Sequence, residues 1–201
     1  PTFLLSYTKG LKGTLNRDFD YNKLQFAYRQ GHRLGGFGKF SISFEAGKTF
    51  GEIPLALLSP VPGNQSFFSI YNSFSQLDFY EFVTDTYASL HLEHNFGGRI
   101  FSRIPLLKKL NLREIVGIRG IWGEISQENI NLSQPAFQSI YGTIPLLPEN
   151  IAPNKEMYYE YSVGVGNIFK VFRIDVNFRG NYKELPDARK FGVTGSFGFS
   201  F

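Results

Sequence analysis

The chain has no cysteine among its 201 residues. That removes disulfide staples and thiol chemistry, and by itself says nothing of the compartment. No window approaches the roughly 18 consecutive apolar residues of a membrane-crossing helix, so no transmembrane helix is expected. There is no phosphate-binding glycine loop; the 21 glycines fall at strand positions and turns. The formal net charge of +4 is not clustered, which leaves no nucleic-acid footprint. There is no initiating Met and no signal peptide, and the sequence opens inside the apolar run FLLSY. The expectation is therefore the C-terminal part of a longer precursor. What the chain has in quantity is aromatics, 22 Phe and 11 Tyr. A mean hydropathy of −0.16 argues nothing against a membrane barrel, because half of each barrel strand faces a polar lumen.

The stretch 190–201, KFGVTGSFGFSF, sets the pattern for the rest. Phe191, Val193, Phe197, Phe199 and Phe201 alternate with Lys190, Gly192, Thr194, Ser196, Gly198 and Ser200, and Gly195 is the one small residue in the first set. Strict period-two alternation predicts a strand with two unlike faces. As an exposed edge of a soluble sandwich it would invite aggregation. As a strand of a membrane barrel it is unproblematic, with aromatics toward lipid and small polar residues toward the lumen. The alternating Phe197, Phe199 and Phe201 also resemble the C-terminal signal by which bacterial outer-membrane barrels are recognised for insertion.

Seven more segments read as strands: 2–9, 21–30, 37–48, 83–96, 111–126, 157–167 and 171–182. In 37–48, Phe40, Ile42, Phe44 and Ala46 oppose Lys39, Ser41, Ser43 and Glu45. In 171–182 the polar row is Arg173, Asp175, Asn177, Arg179 and Asn181. In 111–126, Arg113 and Arg119 face in, while Glu114 falls on the outward, apolar side as a blemish tolerable only near an interface. Most segments have the length a tilted strand needs to cross a bilayer. The connections give an independent test. With the C-terminus on the inner side, the outer connections are 10–19, 49–81, 127–155 and 183–189, and the inner ones are 32–36, 97–110 and 167–170. Long connections fall mostly on one side and tight turns on the other, as in bacterial barrels. The exception, 97–110, mixes basic and apolar residues and reads as an interfacial turn. Residues 127–155, rich in Asn, Gln and Pro, read as a second long loop. The expected fold is all-β, a transmembrane antiparallel β-barrel with about eight strands in this chain.

PGNQSF (62–67), FYEFVTDTYASLHLEHNFGG (79–98), IPLLKKLNLRE (104–114), GVGNIFKVFRIDV (164–176) and the closing FGVTGSFGFSF resemble the C-terminal half of a family of Bacteroidota outer-membrane barrels of unknown function. Members of that family carry an N-terminal carboxypeptidase-regulatory-like domain. The layout is also similar to the roughly sixteen-stranded barrels of the outer-membrane assembly and two-partner secretion superfamily, in which a long loop before the last five strands folds into the lumen with an Arg-Gly tip. Here that loop is 49–81, and Gly63, Asn64 and Gln65 stand where the Arg-Gly would be. The departure puts the superfamily's machinery in doubt for this chain, though not the barrel. The resemblance implies that residues 1–201 are the C-terminal part of one larger barrel domain in a bacterial outer membrane.

Three places in the sequence bear on chemistry. His91, Glu93 and His94 look like metal ligands, but on a strand His94 points opposite to the other two, so the three cannot converge. Ser89 beside His91 shares the lumen face without a third member for a hydrolase. Glu93, Arg113, Arg119, Glu160, Arg173, Asp175 and Arg179 form a lumen network, read either as one that rigidifies the barrel or as a translocation path and docking surface for the loop. The tip at Gly63, Asn64 and Gln65 is expected to tuck into the lumen near Arg113 and Arg119. The resulting expectation is a non-enzymatic barrel of the assembly, insertion or transport type, without metal or cofactor. Its partners would be outer-membrane lipids, the barrel-assembly machinery and other outer-membrane or periplasmic proteins, and no nucleic acid. The alternatives are a complete eight-stranded structural or adhesion barrel, which a precursor with only a signal peptide before Pro1 would favour, a nutrient receptor with an upstream plug, and a barrel-embedded hydrolase.

Overall fold

The computed structural model describes residues 1–11, 19–141, 152–153, 156–185 and 188–197. The strands are β1 (Thr2–Gly10), β2 (Tyr21–Arg33), β3 (Lys39–Phe50), the short β4 (Ser59–Pro60) and β5 (Val83–Thr84), then β6 (Thr86–Asn95), β7 (Arg113–Glu124), β8 (Tyr158–Ile168), β9 (Phe172–Arg179) and β10 (Phe191–Phe197). Eight of them form one antiparallel sheet in the order β1-β2-β3-β6-β7-β8-β9-β10, while β4 and β5 pair with each other. The sheet is open, with β1 and β10 at its edges.

Directly opposed residues of paired strands share a face, so the register shows how the alternation of each strand adds up. One row runs Ile42, Leu92, Ile118, Tyr161, Phe178, Phe191. The next runs Val116, Val163, Val176, Val193. These rows and their neighbours make one continuous apolar face, and among the described residues nothing packs over most of it: Phe3, Leu5, Phe26, Leu90, Ile118, Val163 and Val193 are all exposed. The other face carries the row Arg29, Ser43, His91, Arg119, Glu160, Arg179. The buried core lies on that polar side. Residues 51–82 leave β3 and fold back over the sheet, and their Val61, Phe74, Leu77 and Phe82 pack with Ile121 and Tyr158. A second cluster joins Ile53, Leu55, Leu58 and Val83 to Ile125, Ile130 and Ala152.

The sequence reading of 127–155 as a loop is corrected. Residues Gln127–Tyr141 form a helix, α2, after the one-turn α1 (Pro105–Lys108). The Asn, Gln and Pro content concealed it, and Pro135 does lie inside the helix. Its buried positions Asn129, Ile130 and Ser133 lie three and four apart, the spacing of one helical face. The helix start is held from outside: Asp85 accepts from the Ser126 amide at 2.7 Å and from Asn129 Nδ2 at 3.0 Å. The 97–110 connection is likewise structured, with a 3-10 turn at Phe101–Arg103 followed by α1. It also accounts for Glu114, which is buried and accepts a hydrogen bond from the Phe101 amide. The blemish on the outward side of β7 is thus covered by the adjoining connection. The turn between β8 and β9 places Asn167, Phe169 and Lys170 at positive φ.

Candidate functional site

The densest polar arrangement is where residues 73–81 lie on β7, β8 and β9. Alternation sends Arg119, Glu160 and Arg179 to the same face, and the register sets them side by side. Glu160 is 1% exposed. Its carboxylate accepts from the Ser75 amide at 2.9 Å, the Gln76 amide at 2.7 Å and the Tyr158 hydroxyl at 2.7 Å. Arg179 is fully buried. It donates to the Gln76 carbonyl at 3.2 Å and the Asn181 carbonyl at 3.1 Å, pairs with Glu81 at 2.6 Å, and lies 5.1 Å from the centroid of the Tyr158 ring. Arg119 donates to the Ser73 carbonyl at 3.2 Å and the Ser75 hydroxyl at 3.0 Å. Buried ions are tolerated only when paired and fully hydrogen-bonded. Here the loop backbone supplies the bonds. The sheet therefore holds residues 73–81 through two arginines and one carboxylate rather than through apolar contact alone.

The tip residues are placed differently from one another. Gly63 and Asn64 are buried, and Gln65 is exposed. A Cβ on Gly63 would stand 2.5 Å from the Leu77 carbonyl oxygen, so only glycine fits there. Asn64 binds its own turn: its side chain accepts from the Ser66 amide at 2.9 Å and donates to the Phe68 carbonyl at 2.8 Å. The cation at the tip is Arg189, which donates to the Asn64 and Leu77 carbonyls and pairs with Asp78 at 3.0 Å. Arg119 meets this loop at Ser73 and Ser75 rather than at the tip, and Arg113 stands at the far end of β7, opposite Gly166. The loop reaches β10 as well, where Phe67 and Ser69 bond to both sides of Gly195.

The remaining residues of the polar row form a second group. Arg173 bridges Glu93 at 2.7 Å and Asp175 at 2.7 Å, with Asn177 bonded to Thr194 beside them. Between the two groups lies a cavity of about 570 Å³, walled by Arg29, His91, Glu93, Arg119 and Arg173 on the sheet and by 69–72 on the loop. His91 packs against the Phe74 ring at 5.0 Å. His94 is on the opposite face and bonds the Phe37 carbonyl. Among the described residues no three His, Asp or Glu side chains gather as metal ligands. Phe197 is exposed at the end of β10, and Phe199 and Phe201 lie outside the described residues.

Sequence reasoning had passed over Tyr158, Ser75, Gln76, Glu81 and Arg189. Tyr158 shares the parity of Glu160 and was legible in principle. The others sit in connections where no period assigns a face.

Fold and site together define an all-β protein built on one antiparallel sheet, apolar on its bare face and polar beneath a docked loop. The chain belongs to a family of unknown function, DUF5686, through that family's C-terminal domain, whose model matches residues 1–129. No curated protein and no solved structure matches the chain.

Proposed function

We propose that this chain is the C-terminal part of an integral outer-membrane β-barrel of roughly sixteen strands, non-enzymatic and of the assembly, insertion or transport type. One observation carries this reading: the sheet is inverted relative to a water-soluble protein. Its large apolar side chains line the face that no described residue covers, while Arg119, Glu160, Asp175 and Arg179 lie on the face that is covered. In water such an apolar face is an aggregation surface; in lipid it is the face a barrel requires, with every backbone group bonded between strands. The open edges of β1 and β10 support a ring completed by further strands of the same protein. Residues 51–82 then lie inside the lumen. They narrow it to the cavity beside Arg29, Arg119 and Arg173, so a conducted or docked client would meet mainly cationic side chains. The partners proposed are outer-membrane lipids and, during biogenesis, the barrel-assembly machinery.

The test places single cysteines in this chain, whose 201 residues have none of their own. Ile118→Cys and Val193→Cys lie on the bare face; Ser41→Cys lies on the polar face. In intact outer membranes a membrane-impermeant maleimide is expected to leave the first two unlabelled and to label all three after denaturation. Full labelling of Ile118→Cys and Val193→Cys in intact membranes would sink the reading.

A further inference from the structure

The two ends of the sheet differ in charge. At the end of the short connections, no Asp or Glu occurs from 31 to 44, from 94 to 113 or from 161 to 174. The exposed ionic side chains there are Arg33, Lys39, Arg99, Arg103, Lys108, Lys109 and Lys170, all cationic. The opposite end is of mixed sign, with Glu52, Glu124, Glu128, Glu156 and Glu184 exposed among lysines.

The basic end is built as one surface. Arg99 stacks on the Phe37 ring at 4.0 Å and donates to the Gly36 carbonyl at 3.2 Å, which ties the first short connection to the second. Asn167 Nδ2 donates to the Asn111 carbonyl at 2.8 Å, which ties the second to the third. Between these last two connections lies a cavity of about 810 Å³ bounded by Lys108, Lys170, Leu107, Leu112 and Phe169. Its wall carries Leu107, Leu112 and Val171, and the Phe169 ring at its edge is 90% exposed. Phe169 and Lys170 also have positive φ, a backbone state disfavoured for both that turns their side chains outward from a tight reversal.

Cations beside exposed aromatic and aliphatic side chains, with no exposed acid among them and Glu114 buried against the Phe101 amide, match the boundary between lipid headgroups and acyl chains. We infer that this cavity binds the phosphate headgroup of an anionic phospholipid, held by Lys108 and Lys170, with Phe169 and Leu107 in the acyl zone and the chains continuing along the bare face of the sheet. The inference rests on the barrel reading and adds to it a lipid class and a leaflet, the one on the side of the short connections.

The test uses the full-length protein purified in non-ionic detergent. It is titrated with phosphatidylglycerol, with phosphatidylcholine of the same chains, and with inorganic phosphate, reading thermal unfolding and lipid retained in native mass spectra. Phosphatidylglycerol is expected to bind and stabilise in preference to the other two. Lys108→Gln with Lys170→Gln should weaken that binding by about fivefold per charge removed. Phe169→Ser, which keeps the charges, should reduce retention of the lipid and leave the response to phosphate unchanged. Equal binding of the two lipids, stabilisation by phosphate alone, or an unaltered double variant would overturn the inference. Alkaline extraction of the membranes separates the two failures. A protein that stays in the pellet yet shows no preference sinks this inference alone, whereas one that is released sinks the barrel reading with it.

Discussion

Glu160 illustrates what a single residue contributes and how far sequence reaches. Alternation within 157–167 puts it on the polar face with Ser162, and that is where it lies. Its partners were not legible, because Ser75 and Gln76 sit in a stretch with no period to say which way they point. The chemistry follows from the contacts. A carboxylate has acceptors only, and here it meets three donors, two of them loop amides. Glu160→Gln replaces one acceptor oxygen by an amino group that must face a donor, and it removes the negative charge beside Arg119 and Arg179. Breaking a buried ionic network of this kind costs roughly 3–5 kcal/mol. The loss falls on the docked loop first, so amide exchange at 73–77 should rise by about a hundredfold or more while the strand amides of β7 and β8 change little. Unchanged exchange at Ser75 and Gln76 would mean that the apolar cluster around Phe74 and Phe82 alone holds the loop.

At the scale of elements, the strands were legible and the connections were not. Segments 37–48 and 157–167 correspond to β3 and β8 to within a few residues, and the described part of 190–201 is β10, because a side chain on a half-buried sheet reports its face in every second letter. α2 was missed because its stability is tertiary. Its composition is poor for a helix, and it is held by Asp85 and by Asn129, whose side chain accepts from the Ile53 amide at 2.9 Å. Asn129 thus joins the start of the long loop, the helix and the β5–β6 junction through two bonds made at 2% exposure. Asn129→Ala leaves the Ile53 amide and one Asp85 bond unmet, at a cost of about 1–3 kcal/mol for each buried orphan. The expected outcome is a melting temperature lower by about 2–4 °C per kcal/mol in a chain of this size. A variant that melts like the parent would show that α2 docks through Ile130 alone.

For the whole molecule, the question is which solvent the bare face meets, and one residue distinguishes the answers with opposite expectations. Val163 is at the middle of β8, between Val116 and Val176, and is 56% exposed. If that face met water, Val163→Arg would be an ordinary surface change, within about ±0.5 kcal/mol. If it meets the centre of a bilayer, the same change costs about 2–4 kcal/mol, falling to roughly 0–1 near the interfaces. Phe197→Arg, at the end of β10 beside the short connections, supplies the interfacial comparison within the same sheet. The barrel reading therefore expects Val163→Arg to be clearly more destabilising than Phe197→Arg when unfolding is measured in phospholipid vesicles. Two small and equal effects would remove the membrane from the account, and the apolar face would then need a protein partner to cover it. A depth-dependent cost, by contrast, would tie the inverted sheet, the loop buried on its polar side and the cationic rim to a single cause, a chain folded with lipid as its outer solvent.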